Sequence, residues 1–151
     1  MTLARRRFLQ VLAALAPAAV LPGCGRAGVD PPGDVSAADV EGSWHTDNGD
    51  GRRTELVLRP DGTLTWSGVP DGLRDDLPET AKLRWETRTD YEGTWSVEQS
   101  TSWYQPVVKV QCKIAGGWWG FELTFEGRGP GRQLMYWIGD PDSADRLKFR
   151  R

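Results

Sequence analysis

One histidine, His45, stands in the whole chain, and that single imidazole limits the catalysis the sequence can support. A Ser-His-Asp or Cys-His arrangement would have to be built around it, and a metal site of several histidines is excluded. His45 lies beside Trp44 at an expected strand edge, where a surface imidazole is a simpler reading than a general base. Carboxylates are more plentiful. Asp47, Asn48 and Asp50 crowd the run TDNGDGRR at 46–53, but the run lacks the distal bidentate glutamate of a calcium loop. Asn, Asp and Gly are the residues a hairpin turn requires, so a solvated turn is expected there. Asp140 with Asp142, and Asp71 with Asp75 and Asp76, read the same way. Paired carboxylates about 5 to 10 Å apart across a cleft could hydrolyse glycosides, which keeps a hydrolase as the third-ranked expectation. No catalytic residue, metal or cofactor is assigned.

Aromatic content is the unusual quantity: eight tryptophans, all after residue 40. Trp44, Trp66, Trp95 and Trp119 share the phase of the apolar residues around them and read as core. Trp103, Trp118 and Trp137 fall on or near the opposite phase. There a flat ring could stack on a glycan or a small amphipathic molecule, and these three are the candidate ligand-binding residues. Trp118 leads them, because Trp119 beside it cannot share its face. A one-residue register slip turns any strand residue inward, so core packing is the competing reading.

Cys24 and Cys112 are the only cysteines. Cys24 closes an N-terminal run in which Arg5, Arg6 and Arg7 precede the uncharged stretch FLQVLAALAPAAVLPG. This is the charged and then apolar layout of a signal peptide. Pro17 and Pro22 interrupt the apolar part, which falls short of the roughly 20 residues needed to span a bilayer.

The segment Leu21, Pro22, Gly23, Cys24 resembles the lipobox of bacterial lipoproteins. That resemblance implies a signal peptide over 1–23 and acylation of Cys24, which becomes the new N-terminus. Arg5–Arg6–Arg7–Phe8–Leu9 resembles a twin-arginine export signal. Ala4 and Gln10 stand where that signal carries a hydroxyl residue and a lysine, so general secretory export is the alternative. The implied location is the extracytoplasmic face of the cell membrane, reached through the acyl chain. Lipid on Cys24 leaves Cys112 without a disulfide partner. In VVKVQCKI, Val108, Val110, Cys112 and Ile114 alternate with Lys109, Gln111 and Lys113, so Cys112 is expected as a small core residue on a half-buried strand.

Removing residues 1–23 takes away three arginines and no acid, so the formal charge falls from −2 to −5. An acidic domain is a poor partner for nucleic acid, and none is expected. Residues 24–40, CGRAGVDPPGDVSAADV, hold almost no large apolar group and read as a flexible tether. Residues 41–151 remain as one domain, for which a monomer is expected.

Strand patterns fill that domain. TELVLRPDGTLTWSG sets Leu56 and Leu58 before a Pro60-Asp61-Gly62 turn, and Leu64 and Trp66 after it, which predicts a hairpin. Trp119, Phe121, Leu123 and Phe125 alternate before a glycine-rich turn at 127–131 and open a second hairpin; Leu147 and Phe149 alternate in a last strand. The fold class expected is all-β, an antiparallel up-and-down barrel or β-sandwich of about seven to nine strands. At most one short helix is expected, near 71–78, limited by Pro78.

EGSWH at 41 and EGTWS at 92 form an internal echo, each read as opening a strand. Gly42 with Trp44, and Gly93 with Trp95, resemble the Gly-x-Trp start of lipocalin-like barrels, where the tryptophan packs across one end. The overall layout is similar to small lipoproteins of actinobacteria, a resemblance that implies location and fold and supplies no activity. The function expected is non-enzymatic ligand binding in the cell envelope. The alternative is a structural or protein-interaction lipoprotein that docks on another envelope protein.

Overall fold

A computed structural model describes residues 34–47, 51–75, 78–99, 105–127, 131–140, 142 and 145–151. Eight strands follow in chain order: β1 (Gly42–Asp47), β2 (Arg53–Leu58), β3 (Thr63–Asp71), β4 (Arg84–Glu98), β5 (Val107–Ile114), β6 (Gly117–Glu126), β7 (Gln133–Trp137) and β8 (Arg146–Phe149). Each pairs antiparallel with the next, so sheet order equals chain order. His45 and Arg150 exchange two backbone hydrogen bonds of 2.8 Å, joining the last strand to the first. The chain is therefore a nearly closed up-and-down barrel, not a sandwich.

Alternation explains the wall. On β5, Val108, Val110 and Cys112 are buried while Lys109, Gln111 and Lys113 are exposed, the period-2 signature of a strand with one dry face. The Pro60–Gly62 turn forms as expected. Asp61 Oδ1 accepts from the Thr63 amide (2.9 Å) and hydroxyl (2.7 Å), and Gly62 takes φ +79°. These hydrogen bonds hold the Asp61 carboxyl below the usual carboxylate range.

The EGTWS motif does not open a strand. It lies inside the 15-residue β4, where Gly93 meets Leu64 on one side and Cys112 on the other. A Cβ there would fall 2.9 Å from the Cys112 Cα and closer still to the Gln111 carbonyl oxygen. Gly93 is thus a mid-strand position where the neighbouring backbone leaves no room for a side chain, not the start of a strand.

One end of the barrel is sealed by the chain preceding β1. Residues 34–40, the last part of the segment read as a tether, include the helix α1 (Ala37–Val40), and Val35 and Val40 are fully buried. Ser36 and Asp39 form a reciprocal capping box at its start. Across this end the Trp44 indole N–H donates to the Val40 carbonyl (2.7 Å). The Arg151 guanidinium lies 4.7 Å over the Trp44 ring and donates to the Asp39 and Glu41 carbonyls. The helix expected near 71–78 is instead a turn at 72–74 and a 3-10 turn at Thr80–Lys82, among the described residues of that connection. Leu73 and Leu83 from this connection, with Trp85 near the start of β4, are buried in the core.

Aromatic rings fill the interior between the two ends. Trp66 stacks on Trp119 (5.6 Å, 11°) and meets Phe121, Tyr136 and Phe149 within 5.8 Å. Trp66 Nε1–H donates to Thr54 Oγ1 (2.6 Å), which donates onward to the Ser67 carbonyl (2.6 Å). The buried Trp66 N–H and Thr54 hydroxyl are thereby satisfied.

Candidate functional site

Strand register brings chemistry together on the outer wall. Thr65 on β3 stands opposite Glu92 on β4, and Lys113 on β5 stands opposite Trp118 on β6. The β4–β5 ladder ends at Gly93↔Cys112, so Glu92 and Lys113 face each other at its next step. A row Thr65–Glu92–Lys113–Trp118 therefore crosses four strands with every side chain pointing out of the barrel. A shallow groove of about 460 Å³ lies along it, lined by Thr65, Ser67, Asp90, Tyr91, Glu92 and Lys113.

A bulge shapes the groove at Ser67 and Gly68. Trp66 pairs with Tyr91 but Val69 pairs with Thr89, so β3 carries one residue more than β4 over this step. Gly68 takes φ +70°, and its Cβ position lies 3.0 Å from the Arg53 carbonyl, so no other residue fits well there. Two hydrogen bonds fix the bulge from both sides: Asp90 Oδ1 accepts from the Gly68 amide (2.8 Å), and Thr54 holds the Ser67 carbonyl. Asp90, which lines the groove, is thus tied to the bulge by this bond.

Charge in the groove is mixed. Among the described residues, neither the Glu92 nor the Lys113 side chain makes a hydrogen bond or an ion pair, although they occupy facing positions. Thr65 Oγ1 accepts a long bond from Arg59 (3.5 Å). By contrast, Lys109, four residues earlier on β5, is paired with Glu98 at 2.5 Å, which raises the lysine pKa.

Trp118 is 62% exposed, the one large exposed hydrophobic among the described residues. Its neighbours on the same side of the chain explain this. The β5–β6 turn is Ala115–Gly116, and Gly117 and Gly120 flank the tryptophan on β6. The next outward position, Gly120, has no side chain to lie against the indole, so a ring face stays accessible.

Of the three tryptophans singled out from sequence, Trp118 and Trp137 fall within the described residues, and they differ in exposure. Trp137 points outward but is half-buried, its indole N–H donating to Thr124 Oγ1 (2.9 Å) and its ring covered by Arg146 at 5.2 Å. Trp103 and Cys24 lie outside the described residues, as do Asn48, Asp50 and Asp76. Asp71 is committed to Arg84 at 2.5 Å, a contact that lowers its pKa. No group of three His, Cys, Asp or Glu residues is arranged to hold a metal among the described residues. The groove itself escapes sequence reading, because its members come from three strands whose register no single segment encodes.

Cys112 is a free, fully buried thiol, and burial pushes its pKa up to about 12, so it is no nucleophile. Compared with known families, curated proteins and solved structures, the chain matches none.

Proposed function

We propose that this chain is a lipid-anchored, extracytoplasmic β-barrel that binds a saccharide of the cell envelope on its outer wall and performs no catalysis. Acylated Cys24 supplies the membrane attachment. The observation that carries the binding reading is Trp118, a 62% exposed indole at the end of a row that runs into a polar groove. An aromatic face beside carboxylates, hydroxyls and an ammonium offers stacking to the apolar face of a sugar ring and hydrogen bonds to its rim.

The test is calorimetric titration of the protein with envelope oligosaccharides, comparing wild type with Trp118→Ala. Because Trp118 is exposed, the substitution leaves the fold intact, and affinity is expected to fall about tenfold, equivalent to about 1.4 kcal/mol. Unchanged affinity in the variant would remove the saccharide reading.

A second reading, docking on another envelope protein, is favoured by one feature. The β6–β7 ladder joins only Thr124–Glu126 to Gln133–Met135, so the β6 backbone nearer Gly117 offers an edge that a partner strand could extend. Cross-linking through residues 117–123 to an envelope protein, with saccharides inert, would favour it.

A further inference from the structure

Resting on the saccharide reading, we infer that the ligand is an uncharged, hydroxyl-rich glycan of at least two rings that lies across the strands, from Trp118 over Lys113 to Glu92. Length comes from the ladder. Trp118 on β6 and Glu92 on β4 are separated by β5, two strand spacings, or about 9.5 Å. One pyranose ring cannot stack on Trp118 and reach Glu92 together; two linked rings can. A second aromatic residue waits at the far side. Tyr91 belongs to the inward phase of β4 and meets Trp119 edge-on at 5.6 Å, yet it also lines the groove, just beyond the last β4–β5 pair at Gly93. A chain of sugar rings therefore meets aromatic surface at both ends of its path.

The ligand's lack of charge follows from the balance of charge around the groove. Asp90 and Glu92 supply two carboxylates, Lys113 an ammonium, and Arg59, which donates to Thr65 Oγ1 on the same row at 3.5 Å, a guanidinium. Arg74 lies 5.5 Å over the Tyr91 ring and belongs with Arg84 to a separate group that also holds Asp71 and Asp75. The signs cancel. An ammonium or a carboxylate on the ligand is drawn to one pair and repelled by the other, and it gives up its own hydration for no net attraction.

Hydroxyls fit the step where β4 and β5 part. Glu92 and Lys113 face each other there, yet neither side chain makes a hydrogen bond or an ion pair among the described residues. A carboxylate only accepts and an ammonium only donates, whereas a hydroxyl does both. A hydroxyl-bearing ring laid over this step bonds to each of them, and both bonds are charge-assisted, roughly twice as strong as neutral ones. Thr65 and Ser67 line the same groove and extend the polar contact.

The experiment titrates the full chain in detergent with β-1,4-linked oligomers of glucose, glucosamine and glucuronate, each at one, two and four rings. Expected is a preference of about tenfold for the glucose tetramer over both charged tetramers, with single rings at least about tenfold weaker than two. Added salt should leave the affinity of the glucose tetramer unchanged. Substitutions at the exposed Glu92 and Lys113 then unbalance the groove: Lys113→Gln should move the preference toward glucosamine and Glu92→Gln toward glucuronate, each by about tenfold. Trp118→Ala should weaken all three oligomers alike. A wild-type preference for a charged oligomer, or one order of preference shared by wild type and both charge variants, overturns the inference; the saccharide reading stands so long as Trp118→Ala weakens binding. Single rings that bind as tightly as four overturn the inferred length. Absence of binding by any of the sugars, or binding that Trp118→Ala leaves unchanged, overturns the saccharide reading as well.

Discussion

Two buried acids, Cys112 and Tyr136, tie the stability of the barrel to alkaline pH. Burial raises the Cys112 thiol from 9.0 to about 12 and the Tyr136 phenol from 10.0 to about 12. Each group is neutral when protonated, so the folded state keeps its proton while the unfolded chain loses it. The contribution is intact below pH 9, where both states are protonated, and is lost as pH climbs from 9 towards 12. The loss should be on the order of 3 kcal/mol by about pH 11. Urea unfolding at about pH 7 and about pH 11 measures it; Tyr136→Phe should remove part of the pH slope, and an unchanged slope in that variant would show that Tyr136 does not set it. Cys112 was legible from sequence because its neighbours alternate so cleanly. Trp137 was legible only by half: its outward phase was read correctly, but Thr124 and Arg146, which cover it, arrive from β6 and β8 and leave no mark on its own segment.

Ladders along the barrel wall are unequal. The β7–β8 hairpin is held to β6 by three residue pairs and to β1 by a single bridge at His45–Arg150, whereas β4 and β5 share six pairs. Fewer shared hydrogen bonds mean a lower cost of local opening. Backbone amides of Gln133–Trp137 and Arg146–Phe149 should exchange with deuterium about tenfold or more faster than those of Thr94–Val97 and Val108–Cys112, read residue by residue by NMR. Uniform protection around the barrel would contradict this. The strands themselves were legible because apolar residues at every second position announce a half-buried wall. What alternation withholds is the neighbour: it gives the face of Lys113 but not that Trp118 lies across from it. The helix α1 has four residues, too few for a helical period to show, so Val35 and Val40 looked like tether until the barrel end they cover was in place.

Polarity of the whole molecule links fold to location. Asp34, the first described residue, leads into α1 at the end sealed by Trp44 and Arg151. The β5–β6 turn, with Trp118 beside it, lies at the opposite end of the strands. A chain tied to the membrane through Cys24 would hold its sealed end toward the bilayer and present Trp118 and the groove away from it. The ten residues from Cys24 to Gly33 reach at most about 36 Å when extended, enough to clear the headgroups. A domain of net negative charge gains nothing from anionic lipid, so on the proposed reading the acyl chain would carry the attachment. Cys24→Ala should therefore move the protein from the membrane fraction to the soluble fraction without loss of the barrel's circular dichroism or its saccharide affinity. Mass spectrometry of the wild type should find a mature chain beginning at acylated Cys24. A native chain beginning at Met1, or a Cys24→Ala protein that stays in the membrane fraction, would place the attachment elsewhere and separate the binding surface from the anchor that was to orient it.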